Sequence, residues 1–132
     1  MTHPIVALQR LLVAALAADA QLTALTGADS VFDAPPKGRL PPYAAIIAHD
    51  IAPRDGDATP GHEHRLTIHC WADQPSRKAV LAIAERVLAV ALSAPLAGVL
   101  VVTHRRHERT ETSIDAATGH AKAAVVLRFF TE

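Results

Sequence analysis

The sequence predicts a single domain of the α/β (α+β) class: a mostly antiparallel sheet with two main helices packed on one face. Three observations carry this. His62–Trp71 alternates, with Leu66, Ile68 and Cys70 on one side and Arg65, Thr67, His69 and Trp71 on the other. After Ser76, apolar residues recur at helical spacing as far as Leu92. Two extended stretches, Val99–Thr112 and His120–Phe130, flank a turn at Asp115–Gly119, where Gly119 can take positive φ. Strands joined by hairpins pair antiparallel with their neighbours, and each amphipathic helix must bury its stripe against them.

The elements follow in order. Pro4 suits the first turn of a helix capped by Thr2 or His3, with Ile5, Leu8, Leu12, Ala15 and Leu16 inward. Asp19 caps a short continuation that Gly27 stops. Val31-Phe32 is a short strand. Four prolines keep Ala34–Pro42 irregular, because each removes a donor and fixes φ. Tyr43–Ile51 is a strand and Pro53–Gly61 a polar loop free to move. Ser76 caps the second main helix, whose stripe is Val80, Leu81, Ala84, Val87, Leu88, Ala91 and Leu92. Beyond Arg86 that helix is apolar nearly all round, so it is deeply buried or covered by a partner. On the last strand, Ala121, Ala123, Val125, Leu127 and Phe129 share one face, and Lys122, Val126, Arg128 and Phe130 the other.

Composition narrows the class. At 132 residues the chain fits one domain, 1–132, with a real core. Aromatics are few, so Ala, Leu and Val must fill it. Thirteen basic and thirteen acidic residues cancel, which gives no global pull toward nucleic acid or membrane. Cys70 is the one cysteine, so no intrachain disulfide forms and a reducing compartment is suited. LLVAALAADA after Arg10 mimics a signal peptide, but the basic flank is poor and Asp19 breaks the run. Val87–Thr103, interrupted by Pro95 and Gly98, is too short and broken to span a bilayer.

No set of catalytic groups stands out. His62, His64, His69 and Cys70 cluster in nine residues, and a His-x-His on a strand puts both rings on one face. Alternation points His69 away from Cys70, so a metal is not expected. Cys70 with a histidine base would suit a small hydrolase. Its neighbours Leu66 and Ile68 make a buried, inert thiol the better reading. Asp73, Glu108, Glu111 and Asp115 share no spacing, and there is no glycine loop to cradle phosphate. Catalytic, metal-binding and cofactor-binding residues are therefore expected to be absent. His104–Arg109, HRRHER, is the one basic cluster. Glu108 and Glu111 interrupt it and no aromatics interleave for base stacking, which favours a solvated strand or a polar inter-subunit surface. The candidate interface residues are Arg105, Arg106 and Arg109, with Trp71 as a packing anchor or interface hot spot.

The order of features resembles a known family. An N-terminal helix leads through Gly27 to Val31-Phe32-Asp33, then to the Pro-rich Leu40-Pro41-Pro42-Tyr43. His64 leads into Leu66-Thr67-Ile68 and Trp71, followed by the amphipathic helix. Arg105–Arg109 and Thr118-Gly119-His120-Ala121 complete the set. The chain resembles, over nearly its whole length, the small tail-completion or tail-terminator proteins of siphophage-like tails and bacterial gene transfer agents. The resemblance implies a structural virion component, not an enzyme: a hexameric ring that caps the tail tube, contacts the major tail tube protein and docks the head connector, with DNA passing through without sequence-specific contact. It also implies a place in the tail or neck of the particle and, during assembly, in the host cytoplasm. It carries over no catalytic residue, and it gives no role to His62, His64, His104 and His107. A joining or stopper protein of the neck is the nearest alternative.

Overall fold

The computed structural model describes residues 2–54 and 60–132, so the centre of the expected Pro53–Gly61 loop, with Asp57, lies outside the described residues. Helix α1 runs Pro4–Ala17, and His3 caps it by accepting the Ile5 amide on Nδ1. Helix α2 (Ala20–Thr26) starts on Asp19, whose carboxylate accepts the Leu22 amide at 2.9 Å. It ends on Gly27 at φ 89°, a backbone setting that a side chain disfavours.

The sheet contains β1 (Val31–Phe32), β2 (Tyr43–Pro53), β3 (His62–Trp71), β4 (Val102–Ile114) and β5 (Ala121–Thr131), in the order β1-β2-β3-β5-β4. Among the described residues only β1 and β2 pair parallel, so the sheet is mostly antiparallel, as expected. Helix α3 (Arg77–Ser93) starts on Ser76, whose hydroxyl accepts the Ala79 amide. Together α1 and α3 cover one face. Leu8, Leu12 and Leu16 of α1 and Val80, Ala84 and Val87 of α3 form one core with Leu66, Ile68, Val125, Leu127 and Phe129 of the sheet.

Two expectations shift. The buried stripe of α3 is Val80, Ile83, Ala84, Val87, Val90 and Ala91, whereas Leu81 and Leu92 are exposed and Leu88 is half-buried. Leu81 and Leu92 each sit about 100° round the helix from a buried neighbour. In a helix apolar nearly all round, spacing alone could not choose the phase. The first hairpin strand begins at Val102 rather than Val99. Val101 bridges back to Ala97, and Gly98 lies against Leu11 at the place a Cβ would occupy, so the chain turns there before entering the sheet.

Two bulges decide which side chains face where. In β2 the register slips at Ile47: Ala44 and Ile46 face the helices before it, and His49 and Ile51 after it. In β4 it slips at Thr103 and again at Glu108. The β2–β3 connection is closed by the Arg54 amide on the Gly61 carbonyl at 2.8 Å.

Candidate functional site

Among the described residues no layer covers the face of the sheet away from the helices, and an ordered ion lattice occupies its middle. Arg65, Arg128 and Arg106 stand in one row across β3, β5 and β4. Like charges directly opposite repel, so this row needs counter-charge. The bulge at Glu108 supplies it: its carboxylate lies 3.1 Å from Arg65 Nε and 3.2 Å from Arg128 Nε. Glu63 takes Arg128 Nη1 at 2.6 Å. Glu108 Oε2 and Arg128 Nε are buried without an aligned hydrogen bond, so those contacts are ion pairs held by proximity. Around the lattice, Arg54 lies 4.3 Å over the Phe130 ring, His104 packs on the same ring, and Lys122 lies 5.7 Å over Trp71.

The proposed interface residues separate in space. Arg106 and Arg109 are exposed on the open face, and Arg109 reaches Glu111 at 3.5 Å. Arg105 belongs to the helix face, where it donates to the Ala91 carbonyl at the end of α3, and burial lowers its pKa. Trp71 stands at the far end of the sheet, half-buried beside Leu40, Tyr43 and His120. The structure thus groups Arg106 with Arg109 but joins neither to Arg105 nor to Trp71.

The histidines form a relay on the helix side. Gln9 Nε2 meets His49 Nδ1 at 3.1 Å, His49 Nε2 meets His64 Nδ1 at 2.8 Å, and His64 Nε2 meets the Thr131 hydroxyl at 3.0 Å. Every ring nitrogen of the pair is occupied, and a direct N–H···N bond between rings requires at least one neutral partner. Burial, reinforced by the neighbouring histidine charges, pushes the pKa of His64 down to about 4; burial and His3 do the same for His49. Cys70 is fully buried and its thiol is pushed up to about 12, so it is no nucleophile at neutral pH. Among the described residues, no three His, Cys, Asp or Glu side chains are placed to hold a metal ion.

His49, Glu63 and Arg128 were not singled out from the sequence. His49 needed the β2 bulge, because strict alternation from Ala44 would turn it outward. Glu63 and Arg128 needed the register between strands 65 residues apart.

Residues 10–132 match the family model described as Tail completion protein gp17. The chain belongs to that family. Among solved structures, it is similar to a chain of the virion of a native gene transfer agent particle, at 25% identity and TM-score 0.85, with 99% of each chain covered. No curated protein matches it. A tail completion protein is a structural, non-enzymatic part of the virion at its tail or neck.

Proposed function

We propose that this tail completion protein closes the tail tube as a homo-oligomeric ring, six-fold as the family resemblance implies, and offers the other side of that ring to the head connector. One observation carries the reading. The open sheet face is preorganised and charge-balanced, yet Arg106 on its outer strand is exposed with no ion-pair partner among the described residues. A polar face held rigid by its own ion pairs suits a specific protein contact, since its side chains need little further ordering on docking. The mixed signs there, and the zero net charge of the chain, fit a ring through which DNA slides without being gripped. Contact with the major tail tube protein would stabilise a ring that is weak in free solution.

The test is a strain lacking the protein, its particles viewed by electron microscopy. Headless tails of irregular length are expected. Normal-length tails that merely lack heads would place the chain at the neck joint instead, and normal particles would end the proposal.

A further inference from the structure

Two of the exposed apolar patches of the chain are unlike each other and lie apart from the exposed Val99 and Val101 before β4. One is a groove of about 520 Å³ between α2 and α3, with Ala24, Leu25, Ala82 and Ala89 in its wall and Gln21 and Glu85 at its rim. Leu25 is 44% exposed, and Leu81, next to Ala82 on α3, is 41% exposed. Glu85 has no ion-pair partner among the described residues, whereas the adjacent Arg86 is held by Asp19 in a two-pronged contact at 2.7 and 2.9 Å.

The other patch is the proline-rich arm between β1 and β2. Its Leu40 is 76% exposed, beside Tyr43 and the half-buried Trp71. Arg39 lies 5.8 Å over Phe32, which packs edge-on against Tyr43. Trp, Tyr and Arg are the residue types that dominate binding hot spots. The arm loses little entropy on docking, because its prolines already restrict it. The two patches share no residue, and a contact between unlike patches on copies of one chain is what a closed ring requires.

We infer that the Leu40 arm of one copy docks in the α2–α3 groove of the next, with Leu40 seated between Leu25 and Ala82 and Arg39 paired with Glu85. The inference rests on the ring reading and names its joint. The groove's free charge is acidic, the arm carries Lys37 and Arg39, and each patch exposes apolar surface that the other can cover.

A cross-linking experiment on purified particles tests it, using a short bis-maleimide and the variants Leu40→Cys, Ala82→Cys and both together. The buried Cys70 thiol leaves the unaltered chain as a silent control. The double variant should give linked pairs and higher multimers that neither single variant gives. Leu40→Asp added to the double variant should cut that yield about tenfold or more, with the fold intact by circular dichroism. Absence of linked chains, in particles that immunogold shows to carry the protein at the tail end, would overturn the joint and leave the ring reading standing. So would links formed by Leu40→Cys alone, which would mean that like patches meet. Tail ends without the protein would remove the ring reading, and the joint with it.

Discussion

Burial decides what a single residue is worth here. Leu66 is fully buried between the helices and the sheet, so Leu66→Ala should cost about 2–5 kcal/mol in chemical denaturation. Leu88 is half-buried on α3, and Leu88→Ala should cost clearly less, because part of its surface already meets water. His64 behaves differently. Its folded pKa of about 4 lies below the unfolded value of 6.5, so between those limits the unfolded chain binds the extra proton. The relay's contribution is therefore full above pH 6.5 and is lost as pH falls toward 4, on the order of 3 kcal/mol for this one group. Urea denaturation at a series of pH values should show that slope, and His64→Gln should flatten it. An unchanged slope in the variant would assign the acid sensitivity to other groups.

Among elements, α2 depends most on one side chain. Asp19 caps it and also holds Arg86 of α3, so one carboxylate ties a seven-residue helix to the core. The Arg86 hydrogen bond, with the Leu22 amide and the guanidinium charge, holds that carboxyl below its ordinary 3.8. Its support is thus present above about pH 4 and fades in stronger acid. Melting temperatures should rank the native chain above Asp19→Asn, which keeps a capping oxygen, and Asn above Ala. A native-like melting temperature for the alanine variant would mean that α2 is held by Leu22 alone. The β2–β3 connection is similarly sensitive at Gly61. An added Cβ would stand 2.8 Å from the Arg54 carbonyl oxygen and 2.9 Å from that of Thr131, and backbone cannot step aside cheaply. Gly61→Ala should therefore cost more than about 1 kcal/mol in denaturation, although alanine normally gains on glycine through the unfolded chain.

At the scale of the whole molecule, fold and assembly should separate cleanly. Arg106 and Arg109 are exposed, and no ion pair of the central lattice involves them. Arg106→Glu with Arg109→Glu should leave stability within about 0.5 kcal/mol per substitution. The same variant should fail to complement a deletion strain, with fewer head-attached tails in micrographs. Full complementation would move the assembly contact off this face. Edge strand β4 presents thirteen residues, but two bulges and a run of charges discourage the unspecific pairing that a long flat edge invites. Assembly is thus steered toward side-chain recognition rather than strand addition.

Local chemistry was legible in the sequence wherever a residue acts on its own neighbours. Ser76, Asp19, Gly27 and Gly119 mark their ends and turn through one side chain or one backbone setting, and alternation placed every inward residue from Leu66 to Cys70 and from Ala121 to Phe129. The ordered set of features also led to the tail completion family. Only tertiary structure decided the phase of α3, because a helix apolar on most sides offers several faces and the sheet selects one. The bulges likewise follow from fitting strands onto a shared twisted surface, and they reverse the direction of every residue beyond them. That reversal turned His49 inward to His64, brought Glu108 to Arg65 and Arg128, and chose Arg105 rather than Arg106 for the helix face. A spacing rule reads one strand at a time. The candidate surface is a property of three strands in register, which no single stretch of sequence contains.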